Sequence, residues 1–215
     1  MYEAWGTRGR DPKPREWCTA VVSPHGCLEI RDARAVSYRG RKPNVRFENS
    51  RPGSWTAGVV PVPGVGNVTC VSIYGLMDEL SEASVHRSLS EISPLFTDPS
   101  YKDLLLLGGD LNTSTQWSKG PHLDGDRALL DRIKAYGLID CLEQKRKPGR
   151  RECRCTLDEC THTVTRLDPK HRGLQVDYLF ASPALVQRPL MSCEALPLPE
   201  WQDYSDHAPI IASFH

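Results

Sequence analysis

The stretch K-D-L-L-L-L-G-G-D-L-N-T-S-T-Q, residues 102–116, decides the fold of this 215-residue chain. Its four consecutive leucines, residues 104–107, form an apolar run without a polar face, which predicts a β-strand buried on both sides. Beyond two glycines, an extended chain would place Asp110 and Asn112 on one face and point Leu111 into the core. A carboxylate and an amide at the end of a buried strand predict a functional site, because burying them without partners is costly. The alternative is a strand that ends in a turn, since glycine, aspartate and asparagine all favour turns.

The composition limits the classes of protein to which the chain can belong. Lys+Arg and Asp+Glu both number 27, so the net charge is zero and does not indicate a polyanion-binding protein. No apolar segment approaches the ~18 residues that a membrane span needs, and the N-terminal residues lack the apolar region of a signal peptide. Eight cysteines are too few for a disulfide scaffold of this length, so reduced thiols and a cytoplasmic location are predicted.

Hydrophobic patterning predicts one domain, residues 1–215, made of many strands and two clear helices. The predicted strands are 17–23, 28–36, 45–48, 56–62, 68–75, 104–107, 176–181 and 210–214, and the predicted helices are 78–96 and 126–136. Residues 1–16 are expected to be irregular, and 145–172 to form a long polar loop rich in cysteine and histidine. Many strands and few helices in mixed order predict packed sheets with helices outside.

Three further segments each place an ionisable or hydrogen-bonding side chain at the end of a predicted strand. They are V-D-Y-L-F at 176–180, S-D-H-A-P at 205–209 and S-I-Y-G at 72–75. Loops meet at strand ends, where binding and catalytic groups are usually found. The structural alternatives are a capped turn for S-D-H and a cross-strand polar pair for D-Y.

Three of these motifs together resemble a known family. G-D-L-N at 109–112, V-D-Y-L-F at 176–180 and S-D-H-A-P at 205–209 are similar, in order and spacing, to signature motifs of the endonuclease/exonuclease/phosphatase (DNase I-like) superfamily. The resemblance implies an α/β (α+β) fold, a four-layer α/β/β/α sandwich of two mixed β-sheets packed face to face with outer helices. It also implies hydrolysis of phosphoester bonds with Mg²⁺ or Mn²⁺.

The resemblance implies catalytic roles where the motifs match. Asp110 resembles the residue that orients or deprotonates the attacking water, and Asn112 the amide that fixes water and phosphate. His207 resembles the histidine that stabilises the charged phosphoryl group, and Asp177 its carboxylate partner. These roles agree with the needs of phosphoryl transfer, which are an aligned nucleophile and compensation of anionic charge.

Two more residues complete the implied site. Asp206 resembles a metal ligand, and hard divalent ions prefer such oxygen ligands. Tyr74 resembles a phosphate-contacting tyrosine, although the family's Pro-Asn after that tyrosine is replaced here by Gly-Leu-Met. We expect all six residues to line one cleft, with Asp177 within hydrogen-bonding reach of His207.

The family pattern also includes an N-terminal strand with an asparagine and a strand ending in Gln-Glu, whose glutamate is a principal metal ligand. Neither is present, and the only early glutamates are Glu3 and Glu16. The resemblance therefore implies an N-terminally truncated domain that binds Mg²⁺ weakly. Two functions stay open: a metal-dependent nuclease or phosphatase acting on nucleic acid or a small phosphorylated molecule, and a catalytically inactive remnant acting as a binding or interaction module.

A second departure from the family pattern is a cluster of metal-binding residue types. Cys153, Cys155, Cys160 and His162 lie within ten residues and could close a structural Zn²⁺ site that stiffens the long polar loop. The spacing differs from the usual two-residue knuckle. Free thiols, or a local disulfide in an exported chain, are the alternatives.

Overall fold

A six-stranded mixed β-sheet forms the centre of the structure. The computed structural model describes residues 18–24, 26–34, 44–77, 81–116, 121–146, 160–167, 173–187 and 190–215. The strands are β1 (Leu28–Glu29), β2 (Asp32–Arg34), β3 (Asn44–Arg46), β4 (Trp55–Val62), β5 (Gly66–Ile73), β6 (Leu105–Asp110), β7 (Ile139–Asp140), β8 (Arg166–Leu167), β9 (Gly173–Leu174), β10 (Asp177–Ala181), β11 (Leu190–Ala195) and β12 (Ile210–Phe214). The central sheet has the order β1-β4-β5-β6-β10-β7, in which only the β5–β6 pair is parallel.

Two long helices cover one face of this sheet. The helices are α1 (Ser81–Glu91), α2 (Pro99–Lys102), α3 (Pro121–Ala135), α4 (Cys141–Lys145) and α5 (Pro183–Gln187), with 3₁₀ turns at Ser93–Phe96 and Leu198–Glu200. Alternate residues of β5, β6 and β10 point to one side and pack in a single buried cluster with apolar residues of α1 and α3. Leu105, Leu107 and Phe180 are fully buried there. The leucine run is therefore the middle of the core.

The opposite face of the sheet is covered by a second layer. The antiparallel pair β11–β12, together with α4 and α5, packs on the other set of alternating side chains, including Leu106 and Leu179. The side chain of Asp140 caps α4 by accepting hydrogen bonds from the N–H groups of Leu142 and Glu143. Among the described residues, this second layer is a two-stranded ribbon beside a six-stranded sheet.

The α/β class and the mixed sheet implied by the resemblance are confirmed. The predicted hairpin is β4–β5, and β6, β10 and β12 lie where strands are predicted. The helix predicted at 78–96 is shorter, because Pro94 cannot continue an α-helix and the chain forms a 3₁₀ turn there. Of the helices in the described part of the chain, none is long and apolar enough to cross a membrane.

The strand predicted at 17–23 is wrong where the structure describes it, from residue 18 onward. Those residues have no regular secondary structure. The N–H of Thr19 donates to the carbonyl of Gly53, while the side chain of Val22 is 89 % exposed. The β-branched residues favour an extended chain, but a strand also requires a ladder with a neighbouring strand, which local propensity does not report.

Candidate active site

The candidate site is built on the ends of two neighbouring antiparallel strands. The register of β6 and β10 places Asp110 directly opposite Asp177. Side chains of directly opposed residues project from the same face of a sheet, so the two carboxylates face the same space. Like charges in this arrangement destabilise a sheet, and such local costs are typical of functional sites.

A loop brings His207 to the two carboxylates. Arg166 and His207 form an isolated antiparallel bridge, and the N–H of Ala208 donates to the carbonyl of Thr165 at 2.7 Å. The imidazole Nδ1 of His207 lies 2.9 Å from Oδ2 of Asp177, which is the contact expected from the sequence. One ligand atom each from Asp110, Asp177 and His207 lies within 4.8 Å of the others. Side chains from three separate chain segments therefore lie close together.

Asn112 fixes the orientation of the Asp110 carboxylate. Its backbone N–H donates to Oδ1 of Asp110 at 2.9 Å, and its side-chain Nδ2 donates to Oδ2 at 3.1 Å. The same Nδ2 donates to the carbonyl of Gly75 at 2.9 Å, so both amide protons have protein acceptors. Asn112 has a φ of 48°, in the left-handed region that asparagine tolerates better than most residues. The role of this amide in fixing water and phosphate stays a prediction.

Two glycines allow the chain segments behind Asp110 to approach each other closely. Gly109 has a φ of 135°, and a Cβ on this residue would lie 2.0 Å from the carbonyl oxygen of Ile73. A Cβ on Gly75 would lie 2.1 Å from the carbonyl oxygen of Leu111. The N–H of Gly75 donates to the carbonyl of Asp110 at 2.8 Å. Only glycine fits at both positions without displacing backbone.

The cluster shifts the pKa of two of its members. Burial, followed by the neighbouring charge of Asp177, raises the pKa of Asp110 to about 6. The hydrogen bond to Asp177 raises the pKa of His207 above its ordinary value, against the opposing effect of burial. The cluster contains two carboxyl groups and one imidazole, so its acidic groups outnumber its basic group. The arrangement suits proton transfer and the binding of a cation.

Asp206 and Tyr74 are less closely tied to the three-residue cluster. Oδ2 of Asp206 accepts from Nε of Arg166 at 3.0 Å, and Oδ1 lies 3.9 Å from Nε2 of His207. Burial acts to raise the pKa of Asp206, but the hydrogen bond from Arg166 and the charge of His207 outweigh it and lower the pKa. Tyr74 follows β5 immediately, and its N–H donates to the carbonyl of Ser54. The next residue in the sequence is Gly75, whose N–H donates to the carbonyl of Asp110.

A cavity of about 350 Å³ lies beside the two carboxylates. Its walls are β5, β6 and β10 on one side and residues 208–210 on the other, and Asp110 and Asp177 both line it. Because it adjoins both carboxylates, it offers space for a ligand next to them.

Two supporting residues were missed because they fall in the segment predicted as a long polar loop. Thr165 is fully buried, and its Oγ1 accepts from the N–H groups of Val176 and Asp177, each at 3.1 Å. Arg166 binds Asp206 and pairs with His207 across the backbone. The alternation of β-branched residues in T-H-T-V-T-R-L, 161–167, is the signal that would have indicated an extended, half-buried segment.

The cysteine-histidine cluster is partly described. Sγ of Cys160 lies 3.3 Å from Nδ1 of His162, and Nε2 of His162 lies 2.8 Å from Oγ1 of Thr115. Burial, followed by the charge of Arg146, lowers the pKa of His162 to about 4, so the ring is neutral at physiological pH. Cys153 and Cys155 lie outside the described residues.

No protein-family model matches the sequence, and no curated protein matches it. Solved structures do match the fold. The 3'-5' exonuclease NExo from Neisseria meningitidis has a TM-score of 0.54 and 18 % sequence identity over 79 % of this chain and 70 % of its own. The 3' phosphatase NExo from Neisseria bound to a product DNA hairpin has a TM-score of 0.58 and 17 % identity over 88 % and 79 %.

An AP endonuclease from Archaeoglobus fulgidus has a TM-score of 0.53 and 18 % identity over 78 % of this chain and 68 % of its own. At these identities the comparisons establish the fold alone. The chain has the DNase I-like fold of endonuclease/exonuclease/phosphatase proteins, as its three motifs imply.

Proposed function

We propose that this protein is a metal-dependent phosphoesterase that hydrolyses a phosphodiester or a phosphomonoester by attack of water. The observation that supports this function best is the cluster of Asp110, Asp177 and His207 beside a cavity. The DNase I-like fold adds support, because the matching structures include an exonuclease, a 3' phosphatase and an AP endonuclease. We propose a phosphoester of nucleic acid or of a small molecule as the substrate.

The donor set fits Mg²⁺ or Mn²⁺. These ions prefer oxygen ligands, and a bound cation would offset the burial and the charge of Asp177 that raise the pKa of Asp110. We propose that carboxylate oxygens of Asp110, Asp177 and Asp206 hold the ion, with Asp206 assigned from the motif. When bound, the ion supplies positive charge that offsets the charge of the phosphate.

The protein groups supply proton transfer and orientation. Asp110 accepts a proton from the attacking water, a role that its position beside Asp177 and His207 supports. Asn112 holds both oxygens of this carboxylate in place. His207 uses Nδ1 to contact Asp177, which leaves Nε2–H as the donor to a phosphoryl oxygen. Tyr74 is proposed as a further phosphate contact.

The test is hydrolysis of bis(para-nitrophenyl) phosphate and para-nitrophenyl phosphate by protein first stripped of metal. We expect turnover that returns when Mg²⁺ or Mn²⁺ is added, that is lost in Asp110→Asn and that is kept in Asp131→Asn, an exposed carboxylate outside the cluster. The proposal would be contradicted by a turnover rate that is the same with and without added metal, or by turnover that persists in Asp110→Asn. Absence of turnover on diester, monoester and DNA substrates would favour the inactive binding module.

A further inference from the structure

A buried hydroxyl group binds the backbone at the start of β10. Thr165 is fully buried, and its Oγ1 accepts hydrogen bonds from the N–H groups of Val176 and Asp177, each at 3.1 Å. Successive N–H groups of a regular strand point in opposite directions, so one acceptor reaches both only where the strand is not yet regular. Val176 has no regular secondary structure, and β10 begins at Asp177. The hydroxyl therefore holds the backbone at a residue that carries a carboxylate of the catalytic cluster.

The backbone of the same segment binds the loop that carries His207. The carbonyl of Thr165 accepts from the N–H of Ala208 at 2.7 Å. Two residues further on, the N–H of Leu167 donates to the carbonyl of Asp206 at 3.1 Å. The two hydrogen bonds are thus made by the neighbours of His207 on either side in the sequence. Thr165 contacts the start of β10 through its side chain and the His207 loop through its main chain.

We propose that Thr165 is a positioning residue, which sets the placement of Asp177 relative to His207. The inference rests on the proposed phosphoesterase function, in which those two side chains act together. Nδ1 of His207 lies 2.9 Å from Oδ2 of Asp177. The competing interpretation is that the hydroxyl stabilises the fold alone, by providing an acceptor for two buried N–H groups.

Small displacements of these two side chains have large consequences for catalysis. Catalytic groups have to be held within about 0.5 Å of their productive geometry, and a misplacement of about 1 Å can cost ~10²-fold in rate. Asp177 and His207 belong to separate segments, so the hydrogen bonds that join those segments help to fix their separation. Thr165 is attached to both segments by bonds of 2.7 and 3.1 Å. Loss of the hydroxyl should therefore loosen the contact between the carboxylate and the imidazole.

The opposite end of β10 provides a matched control. Ser182 directly follows β10 and is 3 % exposed. Its Oγ accepts from the N–H of Leu105 at 3.2 Å and donates to the carbonyl of Asp103 at 2.8 Å. Ser182→Ala therefore removes a buried hydroxyl that accepts from a backbone N–H, as Thr165→Val does. It removes that hydroxyl at the end of the β6–β10 pair that is remote from the catalytic cluster.

The first test measures the contact between Asp177 and His207 without any substrate. The ¹⁵N chemical shifts of a neutral imidazole, recorded at alkaline pH, show which ring nitrogen carries the proton, and the hydrogen bonds of the ring set that choice. The bond to Asp177 requires the proton on Nδ1. We expect this Nδ1–H form in the unmutated protein, in Ser182→Ala and in Thr165→Ser, which keeps the hydroxyl. In Thr165→Val the ratio of the Nδ1–H form to the Nε2–H form should fall several-fold.

The second test separates turnover from substrate binding. With metal added, Thr165→Val should lower kcat by about 10-fold or more and change KM much less, because misplaced catalytic groups weaken interactions made in the transition state. Thr165→Ser should recover most of that kcat. Ser182→Ala should keep kcat below its thermal midpoint, even though that midpoint falls. Thr165→Ala, which removes the same acceptor without adding a methyl group in its place, serves in both tests if Thr165→Val does not fold.

Three outcomes would overturn the positioning role. One is a folded Thr165→Val protein in which His207 keeps the Nδ1–H form. Another is Ser182→Ala with the same loss of that form, because the effect would then follow from stability alone. The third is absence of the Nδ1–H form in the unmutated protein. A shift to the Nε2–H form in Thr165→Val, in a protein that hydrolyses no phosphoester, would leave the positioning standing and remove the proposed function.

Discussion

Two histidines of this protein occupy opposite electrostatic environments. His207 is 24 % exposed, and its hydrogen bond to Asp177 raises its pKa, which favours the charged ring. His162 is 5 % exposed, and burial together with Arg146 lowers its pKa to about 4, which favours the neutral ring. A charged imidazole donates from both nitrogens, whereas a neutral one offers a lone pair. The side chain is the same, so the groups in contact with the ring decide which protonation state it favours.

The largest expected difference between the two histidines is in turnover. We expect Asp110→Asn and His207→Ala each to lower kcat by at least ~10²-fold, a typical loss for a general base or an electrostatic donor. His162→Gln should lower the thermal midpoint and affect kcat less, because it acts through the position of other residues. Steady-state kinetics and thermal unfolding of the three variants measure this. The distinction between the two histidines would be wrong if His162→Gln kept a normal thermal midpoint and lost as much kcat as His207→Ala.

Asp110 offers a second test through stability. Its folded pKa of about 6 exceeds its ordinary value of 3.8, so the stability associated with its protonated form is complete below about pH 4 and is lost as the pH rises through about 6. Asparagine does not titrate, so Asp110→Asn should equal the unmutated protein at acidic pH. Above pH 7 it should be more stable, by up to about 3 kcal/mol.

Denaturant unfolding of both proteins at several pH values checks that prediction. Asp131→Asn, at an exposed position, is the control for loss of a charge. A stability difference that stays constant with pH, or that favours the unmutated protein above pH 7, would show that folding does not raise the pKa of Asp110.

The pKa values of the two rings can be moved separately. Asp177→Asn removes the leading cause of the raised pKa of His207, so that pKa should fall, while His162 stays unchanged. Arg146→Gln removes a charge that lowers the pKa of His162, so that pKa should rise, while His207 stays unchanged. Histidine NMR titrations of the two variants follow both rings. A shift of both rings in either variant would mean that the two sites are coupled.

The motifs predicted that Asp177 and His207 meet at the candidate site. They did not predict the hydrogen bonds that position the site residues. Asp177 and His207 are thirty positions apart, yet their contact follows from the resemblance. The contacts of Asn112 could not be predicted from the resemblance. They depend on a left-handed backbone and on the carbonyl of Gly75, which belongs to another segment. Thr165 carried no motif, and its burial arises only when the chain folds.

The smallest expected effect concerns Arg166, which supports Asp206. The ion pair is 29 % and 56 % exposed on its two sides, so Arg166→Gln should cost less than ~1 kcal/mol of stability. The same substitution removes the hydrogen bond that lowers the pKa of Asp206, so that pKa should rise. If Asp206 is a metal ligand, the Mg²⁺ concentration for half-maximal turnover should also rise several-fold.

The matched control for this change is Arg31→Gln, which breaks an exposed ion pair with Glu29 away from the candidate site. It should share the small loss of stability and leave the Mg²⁺ dependence unaltered. An Arg166→Gln protein with the Mg²⁺ dependence of the control would mean that Asp206 does not bind the ion. The carboxylates of Asp110 and Asp177 would then be the protein ligands that the cluster offers, since these two share it with His207.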